Sequence, residues 1–338
     1  MIIKAPTVYP TVTTYPRFAN MLSLCEVLLE TDKHDAFMNW YINQFINITT
    51  IRRKDNLIDV FYYDVTYEKN NFLLIKEYLA SDIINSYQVF SECVKKYLSD
   101  GYAVNILLNQ RFFPQRNTND YYEHYTFIHG YDTVKDLFYI SDFFSKYETV
   151  TVSTQTLNDS FNTMNYDLFE RDIDNPRYDS KRAAYDVSML KLNNTNDISY
   201  EYQPEILLLL IESWSRCDLV GDMQYGRKCF DYIIDGVLNS YIHQNFHILY
   251  DRSVALQLSV DYLTKTNKIE YNENLIKNIQ MIKSKTFSAR NLLLKIHYDD
   301  NELNKKNYIE TIQKLYRDVH ELDEDAVNCL YKLIMDNK

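Results

Sequence analysis

The stretch that decides the fold is HYTFIHGYDTVKDLFYISDFF, which runs from His124 to Phe144. Apolar and polar residues alternate toward both of its ends, and this alternation predicts two half-buried β-strands. Its middle, GYDTVKD, combines a glycine with two aspartates, which are residues that favour a tight turn. The stretch therefore predicts a β-hairpin with its apex at Thr133.

The predicted hairpin brings a histidine and an aspartate together. Directly opposed residues of antiparallel strands have a constant sum of residue numbers, and an apex at Thr133 places His124 opposite Asp142. We therefore expect the Cβ atoms of these two residues to lie about 5 Å apart. A carboxylate there fixes the tautomer of the imidazole and stabilises the imidazolium, as a general base requires. The alternative is a purely structural His–Asp pair.

A base with an orienting carboxylate acts on a nucleophile, and the first predicted helix is where a thiol is expected. A cysteine at a helix N-terminus has a lowered pKa because the helix dipole favours the thiolate. Pro16 predicts the start of this helix, but its first turn contains Ala19 and no cysteine. Cys25 lies on the apolar face of the same helix, where a small buried hydrophobic role is the expected one.

The rest of the chain predicts strands in the first half and helices in the second. YAVNILLN (102–109) and YETVTVS (147–153) are predicted strands on either side of the hairpin, and Ser153 is a predicted cap of the helix that follows. The fold class predicted is α+β. The predicted parts are an α+β domain with a helix and an antiparallel sheet at 1–165, a linker or irregular insertion at 166–203, and an all-helical domain at 204–338.

Composition argues against several classes of protein. The net charge of this 338-residue chain is −11, which disfavours binding to nucleic-acid phosphates. Its 5 glycines form no phosphate-binding GxGxxG or GxxxxGK[ST] motif. No segment approaches the roughly 18 apolar residues of a membrane span, and the N-terminus lacks the apolar core of a signal peptide. The 5 scattered cysteines, with no CxxC, predict a reduced cytoplasmic protein without a zinc site.

Two further sets of polar residues are candidates for ligand binding. Arg111 and Arg116 lie in the loop NQRFFPQR and are candidates for gripping a phosphate, although a solvated loop is the favoured interpretation. His243 and His247 have a spacing that suits a metal on one helix face. No third ligand lies near them in the sequence, so no metal site is predicted.

The order of an N-terminal helix, strands, HYTFIHGYD (124–132) and LFYISDFF (137–144) resembles the papain-like cysteine-peptidase fold. It is more similar to the butirosin-biosynthesis-protein-H-like proteins of antibiotic and nonribosomal-peptide gene clusters, which include amide-forming enzymes of closthioamide biosynthesis. The other stretches that carry this resemblance are LLNQRFFPQR (107–116), LCEVLLETDKHDAFMNWYINQFI (24–46) and, more weakly, QYGRKCFDYI (224–233) and DRSVALQLSVDYL (251–263).

The resemblance implies a papain-like N-terminal domain with a Cys-His-Asp triad, in which His124 is the general base and Asp142 orients it. It implies transfer of an acyl group from a carrier-protein thioester to a small amine. A diamine is one candidate for this amine. The expected partners are an acyl or peptidyl carrier protein and the amine, with neither nucleic acid nor membrane. No cofactor on this chain is expected, because the phosphopantetheine belongs to the carrier, and Arg111 is the residue expected to bind its phosphate.

The chain departs from this family at the nucleophile. Counted back from VLLE, the family's cysteine corresponds to Ala19. Either Ala19 is an engineered Cys→Ala replacement that gives an inactive form, or the protein is naturally inactive, or it uses Cys25. The rival functions are a non-catalytic papain-like binding or scaffold protein, a thioester or peptide hydrolase, and a helical interaction module. The candidate oxyanion donors are Thr13, Thr14, Asn20 and Gln110.

Overall fold

The structure, a computed structural model, consists of two compact units. It describes residues 1–52, 58–62, 71–87, 89–116, 119–144, 146–164, 187–195, 198–220, 223–236 and 243–338. Unit 1 comprises Met1–Pro10, Pro16–Leu28 and Glu68–Ile198, and unit 2 comprises Thr11–Tyr15, Leu29–Tyr67 and Ser199–Lys338. The mixed helix and strand content, the antiparallel sheet and the helical C-terminal region agree with the predicted class.

Runs of consecutive strands and runs of consecutive helices follow one another along the chain. In chain order, the strands are β1 (Ile2–Lys4), β2 (Ile48–Arg52), β3 (Ile58–Tyr62), β4 (Leu73–Tyr78), β5 (Ala103–Asn109), β6 (Glu123–Asp132), β7 (Leu137–Phe143), β8 (Tyr147–Ser153), β9 (Val187–Leu192), β10 (Leu219–Val220) and β11 (Met223–Tyr225). The helices are α1 (Pro16–Cys25), α2 (His34–Tyr41), α3 (Ala80–Ser86), α4 (Phe90–Ser99), α5 (Thr154–Asn162), α6 (Pro204–Arg216), α7 (Cys229–Gly236), α8 (His243–Lys265), α9 (Glu273–Tyr298) and α10 (Glu302–Asp336). Short 3₁₀ helices span Glu26–Glu30, Gln110–Phe112, Pro114–Arg116 and Gly226–Lys228.

Unit 1 is built on an antiparallel sheet with strand order β4-β9-β5-β6-β7-β8, and β1 pairs with β6. β5 is buried along its whole length. Ile106 and Leu108 of β5 and Ile140 of β7 join a hydrophobic cluster with Val94 of α4 and Phe161 of α5. We refer to the side of the sheet that carries these strand residues as the α4 face. Ser153 caps α5 as predicted, because its hydroxyl accepts a hydrogen bond from the Thr156 N–H group at 3.1 Å.

The region predicted as a linker contains an interior strand. β9 pairs with β4 on one side and with β5 on the other, so residues 187–192 form an interior strand next to the edge strand β4. Val187, Met189 and Leu190 are buried. The polar sequence on both sides of this short apolar run conceals it, because a run of this length has no clear period. The preceding residues, 165–186, lie outside the described part of the chain.

Unit 2 combines helices with a small sheet of strand order β10-β11-β2-β3. The prediction of an all-helical domain at 204–338 is therefore too simple, since two very short strands lie within it and two more come from residues 29–67. A buried ion pair joins Arg252 of α8 to Asp323 of α10 at 2.5 Å. The indole N–H of Trp214 donates to the same carboxylate at 2.8 Å, which ties α6 to both helices.

Two properties of the described residues bear on metals and membranes. These residues contain no group of three or more His, Cys, Asp and Glu side chains arranged to hold a metal ion. Of the helices within the described ranges, none combines the length and the apolar character needed to cross a membrane.

Candidate functional site

The hairpin forms, but its register differs from the predicted one. The last pair before the turn is Asp132 with Leu137, so the turn is centred after Val134 rather than at Thr133. A β-bulge then shifts the pairing between Ile128 and Gly130. An extra residue in one strand changes which residues oppose each other from that point onward.

The shifted turn and the bulge together make His124 and Asp142 diagonal neighbours instead of directly opposed ones. Phe127 pairs with Ser141, so Asp142 lies level with Thr126. The predicted direct opposition is therefore wrong. The two side chains still share a face, because residues 124 and 126 of one strand point to the same side of the sheet. His124 pairs with Leu108 of β5, which identifies this side as the α4 face.

His124 and Asp142 are joined by hydrogen bonds. Nδ1 of His124 lies 2.9 Å from Oδ1 of Asp142 and 3.1 Å from Oδ2. The Asp142 side chain is fully buried, whereas 21% of the His124 side chain is exposed. Nε2 of His124 has no hydrogen-bond partner among the described residues. The carboxylate thus holds one nitrogen of the ring and leaves the other available for proton exchange.

Three further donors converge on the Asp142 carboxylate. The N–H group of Phe143 donates to Oδ1 at 2.6 Å. Nη2 of Arg116 donates to Oδ2 at 3.2 Å, and Nε2 of Gln110 donates to the same oxygen. Every oxygen of this buried carboxylate therefore has donors, which is the condition under which a charged group tolerates burial. The guanidinium of Arg116 also shares the negative charge that would stabilise an imidazolium at His124.

The loop NQRFFPQR is part of the site, so the preferred interpretation of Arg116 as a solvated residue is wrong. Two 3₁₀ turns fold this loop back toward the hairpin, where Nε of Arg116 donates to Oε1 of Gln110 at 2.6 Å. The Arg116 guanidinium lies 4.7 Å from the ring centroids of Tyr122 and Phe144. Arg111, the expected phosphate ligand, instead stacks on Phe112 at 4.6 Å and does not join the Asp142 group.

Helix α1 begins at Pro16 as predicted, and Ala19 is completely buried in it. The next residue, Asn20, fixes α1 on the sheet. Its Nδ2 donates to Oδ1 of Asn105 at 2.8 Å, and its Oδ1 accepts from the Tyr147 hydroxyl at 3.0 Å. Cys25 is the last residue of the helix and is also buried.

The contacts of Asn20 lie on the sheet face opposite the His124–Asp142 pair. Asn105 of β5 alternates with the α4-face residues on either side of it, so its side chain points to the other side. Tyr147 pairs with Phe143, the neighbour of Asp142, and likewise points away from the α4 face. The polar contacts of α1, the helix that carries Ala19, thus fix it on one face of the sheet. The His124–Asp142 pair lies on the other face.

The candidate oxyanion donors are all engaged in other hydrogen bonds. Within unit 2, the backbone N–H groups of Thr13 and Thr14 donate to Oδ2 of Asp251 at 2.6 and 2.7 Å. Asn20 binds Asn105 and Tyr147, and Gln110 binds Asp142. The structure therefore gives no support to any of the four as a donor to a substrate oxyanion.

A second histidine of unit 1, His129, pairs with Ser141, and this pair is not evident from the sequence. Nε2 of His129, the bulged residue, lies 2.9 Å from Oγ of Ser141, and that hydroxyl lies 2.8 Å from Oγ1 of Thr149. Burial lowers the pKa of His129 to about 3, so the ring is neutral near neutral pH. Both His129 and Ser141 are buried, and the pair fits an internal polar network better than a catalytic site.

His247, one of the two histidines with a spacing that suits a metal, makes hydrogen bonds to protein groups. Its Nε2 lies 2.7 Å from Oγ1 of Thr13, and its Nδ1 lies 3.1 Å from Nη1 of Arg290. Both ring nitrogens are thus occupied by hydrogen bonds. The side chain of His243 lies outside the described residues.

Comparison with protein-family models gives no match for this chain, and none of the curated proteins matches it either. The functional interpretation therefore rests on the geometry around His124 and on the motifs of the sequence.

Proposed function

We propose that His124 and Asp142 are the base and the orienting carboxylate of an acyl-transfer site in a papain-like unit. The reaction is amide formation from a carrier-protein thioester and a small amine, in the biosynthesis of a peptide natural product. The observation that carries the proposal is the pairing of a buried carboxylate with a partly exposed imidazole whose Nε2 has no partner in the described part of the chain. The resemblance of the hairpin motif to the butirosin-biosynthesis-protein-H-like proteins supports the substrate class.

The two-step reaction needs a thiol that this sequence does not supply at residue 19. A thiolate attacks the thioester carbonyl, the carrier thiol leaves, and an acyl-enzyme thioester forms. The amine then attacks the same carbonyl while Nε2 of His124 takes its proton, and the amide leaves as the enzyme thiolate is released. In the second step Asp142 holds the ring by Nδ1 and stabilises its positive charge.

A second candidate function is binding without chemistry. It is favoured by the complete burial of Ala19 and by the contacts of Asn20, which fix α1 on the face opposite His124. The interaction of Asp142 with both Arg116 and His124 also favours binding without chemistry, because the guanidinium reduces the stabilisation that the carboxylate gives to an imidazolium. Such a protein would bind the acylated carrier or the amine and leave the thioester intact.

The test is intact-protein mass spectrometry of Ala19→Cys after incubation with an acylated carrier protein, followed by addition of a diamine. Acyl transfer predicts a covalent adduct on the variant, which the diamine releases as an amide. The matched controls are Ala19→Ser, which adds a polar atom without a thiol, and Ala19→Cys with His124→Ala, which should slow the release by about a hundredfold or more. If a variant folded by circular dichroism forms no adduct, the second candidate function replaces the first.

A further inference from the structure

Helices α8, α9 and α10 of unit 2 bring together an arginine, a histidine and a tyrosine. Nη1 of Arg290 in α9 lies 3.1 Å from Nδ1 of His247 in α8. A guanidinium only donates hydrogen bonds, so Nδ1 accepts and the proton of the neutral ring resides on Nε2. Burial, followed by the Arg290 charge, lowers the pKa of His247 to about 4, which agrees with a neutral ring.

The guanidinium of Arg290 has no carboxylate partner within 4 Å in the described part of the chain. Tyr250 and Phe287 have ring centroids 5.1 and 5.0 Å from it, which places aromatic rings beside the group. Its Nε is buried and has no hydrogen-bond partner in the ranges that the structure describes. Nη2 also makes no hydrogen bond to a described residue. The edge formed by Nε and Nη2 is therefore an unpaired fork of two donors.

Tyr316 of α10 supplies an independent unpaired donor. Its side chain is completely buried, and no described residue forms a hydrogen bond with its hydroxyl. Its ring lies 5.3 Å from that of Phe246, the residue just before His247. Burial raises the pKa of Tyr316 well above its ordinary value, and the nearby Arg290 charge partly opposes that rise. Two unsatisfied polar groups thus occur in the same region of unit 2.

The chemistry of these groups identifies the ligand class. The Nε and Nη2 edge of a guanidinium matches the two oxygens of a carboxylate or a phosphate. A positively charged group would be repelled, and a buried polar atom without a partner is uncommon in native proteins. We propose that Arg290 and Tyr316 bind an oxyanion, the carboxylate or phosphate group of a small molecule. This site is independent of the proposed acyl transfer.

The test is isothermal titration calorimetry of the full chain with inorganic phosphate and, separately, with succinate, at an ionic strength held constant with sodium chloride. The proposal expects saturable binding of at least one anion, and the two arms separate phosphate from carboxylate recognition. Arg290→Gln should weaken that binding by about tenfold or more, and Tyr316→Phe by roughly threefold to tenfold. Arg216→Gln, which changes an exposed arginine of the same unit, should leave the binding unchanged.

Two results would overturn the proposal. One is the failure of both anions to bind the folded wild-type chain, and the other is equal affinity in wild type and in Tyr316→Phe. The tyrosine variant keeps the test valid if Arg290→Gln does not fold, because it removes only a hydroxyl that has no hydrogen-bond partner among the described residues. Its thermal midpoint without anion should equal or exceed that of the wild type.

Discussion

Each unit contains a histidine beside a buried aspartate, and the two pairs differ in what the second ring nitrogen does. In unit 1, Asp142 holds Nδ1 of His124, and Nε2 forms no hydrogen bond with any residue that the structure describes. In unit 2, Nε2 of His247 lies 2.7 Å from Thr13 and 3.5 Å from Asp251, and Nδ1 is occupied by Arg290. A histidine next to an aspartate is a candidate base only where one nitrogen remains open to a substrate.

The two aspartates also differ in the groups that donate hydrogen bonds to their carboxylates. Asp142 has a guanidinium among its partners, whereas Asp251 accepts the N–H groups of Thr13 and Thr14 and the Thr14 hydroxyl. Asp251 therefore fixes the backbone at Thr13 and Thr14. Asp142 instead links a loop arginine to a partly exposed imidazole, so its position affects both the stability of unit 1 and the orientation of His124.

The largest effect is expected from Asp142→Ala. It leaves the Arg116 guanidinium, whose side chain is only 8% exposed, without its carboxylate. Removal of one partner from a buried ion pair should lower the free energy of unfolding by about 3–5 kcal/mol. Urea denaturation measures this loss. The matched control is Asp318→Ala, which breaks a partly exposed pair with Lys285 and should cost less than about 1 kcal/mol. Equal losses would show that Asp142 does not organise unit 1.

The free energy of unfolding should depend on pH through two groups of unit 2, Asp251 and His247. Burial raises the pKa of Asp251 to about 7, although its hydrogen bonds and the Arg290 charge oppose the rise. The folded state therefore holds this proton more tightly than the unfolded state. The resulting stability is complete below the unfolded pKa of about 4 and is lost as the pH rises through about 7.

His247 acts in the opposite direction. Its pKa is lowered to about 4, so its contribution is present above the unfolded value of about 6.5 and is lost as the pH falls toward about 4. Of these two contributions, only that of Asp251 changes above about pH 6.5. The free energy of unfolding should therefore fall between about pH 6.5 and about pH 8, and Asp251→Asn should flatten that fall. His247→Gln should retain it, and a wild-type profile that rises over this interval would contradict the assignment.

A smaller effect is expected from His124→Gln. The imidazole is partly exposed, and Asp142 keeps Arg116, Gln110 and the Phe143 N–H group as donors. Loss of this one hydrogen bond should lower the free energy of unfolding by about 1 kcal/mol in urea titrations. A loss as large as that of Asp142→Ala would mean that the histidine is a structural member of the core, like His129, and not an open base.

The sequence predicts the elements of unit 1 better than their register. Pro16 and the Ser153 cap locate the starts of α1 and α5, and alternation locates the hairpin, because each of these signals is local. The bulge at His129 and the longer turn carry no comparable signal, so His124 and Asp142 are predicted to be neighbours for a partly wrong reason. They remain on one face because the two errors together shift the register by an even number of residues.

The parts that sequence reasoning misses depend on contacts distant along the chain. Arg116 reaches Asp142 only because two 3₁₀ turns fold its loop back. The mixed polarity of this loop instead predicts a solvated segment. β9 is an interior strand because it has neighbours on both sides, and its own sequence pattern does not show this. The face on which α1 packs is fixed by the contacts of Asn20 with Asn105 and Tyr147, and helical periodicity cannot choose between the two faces of a sheet.

The central claim is that His124 presents an unprotonated Nε2 while Asp142 holds Nδ1–H. Nitrogen-15 NMR of the histidine side chains, assigned with His124→Gln and followed through a pH titration, tests this in the wild-type chain. The account predicts that the neutral His124 ring is the Nδ1–H tautomer and that Asp142→Asn reduces this preference. A neutral ring protonated on Nε2 would contradict the account, because that nitrogen could not then accept a proton from an amine.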